Sequence, residues 1–255
     1  MLHGVGEAAR PYLVAGLAAT QQSPVLYVVH DGEQVARTVD SLTRLLGDEV
    51  PVLPFPDRDA LPFERLIPDA ESVQARMRAL TLLSQAEARC VAVCSARALT
   101  QPVIPPHAFT DALIELKPGL QLDPRQLLEH LLGVGYEPEV EVEGVGQVTH
   151  RGGIVDFFPP MLERPVRVEF FGDEIDSIRT FDPATQRSLN PQESVLVGPA
   201  REALATHGPE AATELAKLDI IGLHADARGR WERDLAALRA RQSFDDIGFY
   251  LPYLH

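Results

Sequence analysis

The sequence predicts an α/β protein: a parallel-sheet domain joined to a smaller α+β unit built on an antiparallel meander. Two observations carry this. Up to Thr100, short apolar runs such as PVLYVVH (Pro24–His30) and RCVAVCS (Arg89–Ser95) alternate with segments of helical period. That is the pattern of βα units around a buried parallel sheet. Further on, RGGIVDFFPPMLERPVRVEFFGDEIDSIRTF (Arg151–Phe181) has period-two runs punctuated by Gly-Gly, Pro-Pro and Gly-Asp, the mark of successive antiparallel strands. A chain of 255 residues holds one large domain or two ordinary ones.

The first elements are a glycine-containing turn and an alanine-rich helix, HGVGEAARPYLVAGLAA. A phosphate-binding loop would sit here in a nucleotide-binding α/β domain, and it would need a Gly-Lys followed by Ser or Thr. From Gly4 the chain instead reaches Ala9, Arg10 and Pro11. Proline offers a phosphate neither a hydroxyl nor an N–H, so this chain is not expected to bind ATP. Pro24–His30 is expected as a buried parallel strand. DGEQVARTVDSLTRLLG follows as an amphipathic helix with Val35, Val39, Leu42 and Leu46 in register and Gly47 as its stop. A short strand is expected at Val50–Leu53, then a proline-broken loop. Next comes a helix capped by Asp69 or Ser72, with Val73, Met77, Leu80 and Leu83 on one face. A second buried strand (RCVAVCS) and a short helix from Ala96 to Thr100 complete the series.

The loop and helix FPDRDALPFERLIPDAESVQARMRAL resemble the N-terminal module of the bacterial transcription-repair coupling factors, the Mfd family. That module is itself similar to the excision-repair helicase UvrB but lacks its ATPase motifs, in agreement with the defective loop from Gly4 to Pro11. The resemblance implies a degenerate RecA-like domain carrying an inserted smaller α+β domain similar to domain 2 of UvrB.

Proline density at PVIPPHA (Pro102–Ala108) marks a boundary. In the helix that follows, Asp123 is the N-cap, Pro124 opens the first turn, Gln126 completes a capping-box pattern and Gly133 ends it. EPEVEVEG predicts a half-buried strand whose outer face carries Glu139, Glu141 and Glu143. The meander follows, with strands Ile154–Phe158 and Pro165–Phe171 and a turn at Gly172-Asp173. Its order, and HRGGIVDFFP in particular, resembles the UvrB-like insert. After Gly198-Pro199 the sequence predicts a helix, a strand (Asp219–Leu223) and a helix from Gly229 to Arg241 with Trp231, Leu235 and Leu238 on one side. SFDDIGFYLPYL resembles the stretch in which family members return to complete the first domain. The implied partition is 1–115 and 199–255 for the first domain and 116–198 for the insert.

In the second meander strand, Val166, Val168 and Phe170 share one face, while Arg167, Glu169 and Phe171 share the other. Arginines and aromatics together are common anchors of protein interfaces. In the family, the residues matching Arg151, Arg167 and Phe171 contact UvrA. The resemblance therefore implies a non-catalytic UvrA-recruiting module linking stalled RNA polymerase to nucleotide excision repair. RNA polymerase and DNA would be reached through other domains of a longer protein, and the same face would be masked there until the motor engages. The competing enzyme reading, a UvrB-type helicase fragment binding ATP and damaged DNA, is opposed by Ala9, Arg10 and Pro11 and by the net charge of -14. Arg167→Ala and Phe171→Ala are both expected to act on partner binding without changing the melting temperature.

Other candidates have plainer explanations. Cys90 and Cys94 read as inert core thiols, without further ligands at metal spacing. Asp57, Asp59 and Glu64 read as solvated loop carboxylates. No metal and no cofactor is expected in this chain, with ATP and Mg confined to the motor part of family members. Neither a signal peptide nor a membrane-spanning run is evident, and a cytoplasmic location is expected.

Overall fold

The computed structural model describes residues 4–58, 69–85 and 88–254, so Asp59, Glu64 and most of the proline-broken loop lie outside the described residues. Two compact units divide the chain after Gln101.

The first unit contains α1 (Arg10–Thr20), β1 (Val25–Val29), α2 (Gly32–Leu46), β2 (Val52–Phe55), α3 (Ala70–Leu83), β3 (Val91–Ser95) and α4 (Ala96–Thr100). Its strands form a parallel sheet in the order β1-β3-β2. Central β3 is buried along its length. Ala15, Ala18, Val35 and Leu42 pack with its Val91 and Val93, while Ala79 of α3 packs with Cys94, Leu53 and Phe55. The βα reading of the sequence thus holds, with one correction. β1 is an edge strand, and its Leu26 is 49% exposed. An apolar run alone does not say on which side a strand will find a neighbour. Side-chain caps fix three helix starts: Asp31 accepts from the Gln34 N–H, Asp69 from Ser72 and Ser95 from Ala98. Both cysteines are buried, which raises their thiol pKa values. Arg76, buried beside Met77, donates to the Pro56 carbonyl at 2.7 Å and lies 4.0 Å above the Phe55 ring. Periodicity gave no sign of this arginine in the core.

The second unit opens with α5 (Pro106–Asp111), β4 (Ile114–Leu116) and α6 (Pro124–Gly133). Asp123 caps α6 by accepting from the Arg125 N–H, and Gly135, at φ +95°, supplies the left-handed exit expected nearer Gly133. There follow β5 (Glu137–Pro138), β6 (Gln147–Arg151), β7 (Ile154–Phe157), β8 (Val166–Phe171), β9 (Glu174–Phe181), β10 (Ser188–Pro191) and β11 (Val195–Val197). β5 to β10 make one sheet in the order β10-β9-β8-β7-β6-β5, and β11 pairs with β4. Leu127, Leu131, Val148, Val155, Val166, Val168, Ile175 and Ile178 are all buried. α7 (Gly208–Leu215) and α8 (Ala225–Arg239) then pack with the Ile247–Tyr253 3-10 segment around Ala211, Leu215, Leu238 and Tyr250. Residues 199–254 cluster with 102–198, a different cut from the three-part division implied by resemblance.

Two expected strands are not formed. Asp219–Leu223 is a turn, with Ile221 84% exposed; its β-branched composition finds no neighbouring strand among the described residues. The EPEVEVEG run pairs only at Glu137–Pro138. Beyond that point it leaves the sheet as a strap, burying Val142 completely while Val140 stays exposed. Among the described residues no helix is long and apolar enough to cross a membrane.

His130, late in α6, is partly buried with Nε2 3.2 Å from the Ala112 carbonyl oxygen. Burial holds its pKa below the ordinary imidazole value. The unfolded chain therefore takes up this proton first as pH falls through about 6.5, and folding stability drops from there toward the lower folded-state pKa. Denaturant midpoints are expected to fall between about pH 7 and pH 5.5, and to fall less in His130→Gln.

Candidate protein-docking face

Register determines which meander residues share a face. Thr149 pairs with Asp156, Asp156 with Arg167, and Arg167 with Arg179; one row over, Arg151 pairs with Ile154, Ile154 with Glu169, and Glu169 with Ser177. Paired residues project to the same side, so Arg151, Arg167 and Phe171 lie on one face. Gly152 (φ +62°) and Gly172 (φ +63°) make the two hairpin turns at the same end of the sheet, where left-handed backbone favours glycine. Gly153 also gives close passage: a Cβ there would lie 3.1 Å from the Phe170 carbonyl oxygen.

The three residues nevertheless differ in availability. Phe171, beside the Gly172 turn, is 84% exposed. Arg151 has a side chain 51% exposed; its guanidinium donates to the Val140 carbonyl and lies 3.5 Å from Glu141. Arg167 is committed. Its Nε and Nη2 each donate to Asp156 at 2.8 Å, and its Nη1 donates to the Gln186 carbonyl and the Ser188 hydroxyl at 3.2 and 3.3 Å. The guanidinium carbon sits 4.8 Å above the Phe181 ring, and the side chains of the pair are only 17% and 4% exposed. Hydrogen bonding to Asp156, outweighing burial, raises the Arg167 pKa above its usual value.

The strap explains the enclosure. It is pinned by Thr149, whose hydroxyl donates to the Val140 carbonyl, by Gln147, whose side-chain oxygen accepts from the Glu143 and Gly144 N–H groups, and by Gln186, which donates to the Val142 carbonyl. Val142 packs with Phe158 and Phe181, forming a second small core with Val145 against it. Arg167 and Asp156 are therefore covered, and the end carrying Arg151, Glu169 and Phe171 is open. Arg167→Ala is consequently not a pure binding variant, contrary to the sequence expectation. Asp156 was missed because VDF reads as core; its signal is the cross-strand position opposite Arg167.

The other sequence candidates do not join this face. Gly4, at φ +76°, lies in irregular chain before a 3-10 turn (Glu7–Ala9), Ala9 leads α1 without a side-chain cap, and Arg10 and Pro11 occupy its first turn. Asp57 accepts from the Ser95 hydroxyl, within the first unit. Glu139, Glu141 and Glu143 are exposed along the strap, with Glu141 beside Arg151.

Residues 114–202, the span that holds this sheet, match the family model of the UvrB interaction domain. Relatives extend the match to nearly the whole chain. The transcription-repair-coupling factor of Myxococcus xanthus is 35% identical over 98% of this chain and 20% of its own length. Those of Bacillus subtilis and Escherichia coli are 32% and 31% identical, over 86% and 74% of this chain and 18% and 16% of their own lengths. The chain is homologous to the transcription-repair-coupling factors over most of its own length. It matches the N-terminal, UvrB-homologous module of that family, and it spans about a fifth of the length of the curated relatives it matches.

Proposed function

We propose that this chain is a non-catalytic adaptor that recruits UvrA through the open end of its β-face, linking stalled transcription to nucleotide excision repair. The observation that carries the proposal is Phe171: a large aromatic, 84% exposed on an ordered strand, on the same face as a half-exposed arginine. Such pairs are the common anchors of interfaces, and the match to a UvrB interaction domain covers this sheet. The first unit is a degenerate RecA-like domain, with Ala9, Arg10 and Pro11 standing where a working phosphate loop would begin. The residues 116–198 are the UvrA-binding insert, and 199–255 descend from the segment that returns to that domain. ATP, Mg, RNA polymerase and DNA belong to other parts of the full-length, cytoplasmic family members.

Phe171→Ala is expected to weaken UvrA binding by about thirtyfold, the effect of losing an anchor of roughly 2 kcal/mol, without lowering stability. Titration of UvrA onto the wild-type and variant chains measures this. Equal affinities would remove the proposal. A nucleotide titration bears on the helicase alternative, for which saturable ATP binding is the required result.

A further inference from the structure

The sheet carries a cation that the sequence reading did not single out. Arg179, on β9, sits directly opposite Arg167 on β8. Like charges facing one another across a strand pair are destabilising. Arg167 is neutralised by its two hydrogen bonds to Asp156. Arg179 is exposed, and its guanidinium makes no hydrogen bond or ion pair among the described residues. An unneutralised arginine beside another arginine, on a chain of net charge -14 with acidic side chains to spare, gains no charge pairing within the isolated fold.

Its position suggests a use. Arg151 and Arg179 lie three strands apart and one row out of step, about 16 Å between Cα atoms by strand geometry. Arg179 is about 14 Å from Phe171 by the same geometry. The face therefore presents two exposed arginines and one exposed aromatic at the corners of a triangle. Inside it are Ile154 and Glu169, the latter already accepting a hydrogen bond from the Ser177 hydroxyl at 2.7 Å.

We infer that Arg179 is a further binding residue of the docking face, and that the UvrA surface it meets is acidic, with carboxylates opposite Arg151 and Arg179 and an apolar socket for Phe171. This rests on the UvrA reading above and extends it: Arg167 supports the face, while Arg151 and Arg179 supply its accessible positive charge. The occupant follows from charge complementarity, because Arg179, a cation left unpaired on an acidic chain, favours an anionic partner surface, and Arg151 on the same face is half exposed.

Arg179→Glu separates this role from a structural one, because it converts the like-charge pair into an attractive pair. Its melting temperature should equal or exceed that of the wild type, while UvrA affinity should fall by about tenfold or more and the remaining binding should depend less steeply on salt. Arg179→Gln should give a smaller loss of the same kind and guards against local rearrangement by the glutamate. If Phe171→Ala weakens binding but both Arg179 variants bind within about twofold of wild type, the inference fails and the UvrA reading stands. If the wild-type chain does not bind UvrA at all, both fail.

Discussion

Arg167→Ala is expected to destabilise the second unit by about 3 kcal/mol, the usual result of removing one member of a buried ion pair. The guanidinium satisfies both oxygens of Asp156, whose side chain is 4% exposed, and its removal leaves that carboxylate unpaired under the strap. It also removes the donor to the Gln186 carbonyl and the cation above Phe181. For a folding unit of this size the melting temperature should fall by about 6–12 °C. Replacing both partners with apolar residues, Asp156→Val with Arg167→Leu, should recover most of the loss, since no buried charge is then left alone. Thermal melts of the single and double variants measure this. An unchanged melting temperature in Arg167→Ala would show that Asp156 does not depend on its partner.

This alters how loss of binding by Arg167→Ala is interpreted. A weakened pull-down would follow from disorder around the strap as readily as from a missing contact with UvrA. The double variant resolves the two: restored folding with weak binding assigns Arg167 a direct contact, and restored folding with restored binding assigns it support of the face alone. Phe171 needs no such control, because a side chain 84% exposed supports little of the fold.

Much of the architecture was legible because local patterns and tertiary context agree. The apolar runs at Val25–Val29 and Val91–Ser95, the caps at Asp69 and Asp123, and the glycine turns of the meander each state their own geometry. Reading failed where a pattern needs a neighbour that the sequence does not name. The valines of EPEVEVEG alternate like a strand, yet only Glu137–Pro138 pairs; Val142 instead crosses to Phe158 and Phe181 on the face expected to be wet. Asp219–Leu223 has strand composition and no partner strand among the described residues. At the candidate site, alternation along one strand placed Arg167 and Phe171 together, but their unequal exposure depends on the strap and on Asp156. Arg179 was invisible for the same reason, since only the β8–β9 register sets it opposite Arg167.

Gly208→Ala should be the other large effect, and its cause lies in the backbone. A Cβ on Gly208 would lie 2.2 Å from the Leu238 carbonyl oxygen and 2.9 Å from its carbonyl carbon. Neither atom can move aside by a rotamer change, so α7 must shift away from α8 along the contact that buries Ala211, Ala212, Leu235 and Leu238. Overpacking of this kind costs about 3 kcal/mol, at the upper end for a single added methyl because the obstacle is main chain. Gain of helix propensity on replacing glycine is under about 1 kcal/mol and does not compensate. The damage should centre on residues 203–254, and amide exchange should rise most in α7, α8 and the Ile247–Tyr253 segment. Protection in β7 and β8 should be kept, because their core is made by Val155, Val166, Val168 and Ile178. A Gly208→Ala variant as stable as wild type would mean that the close helix approach is not required for the packing of this segment.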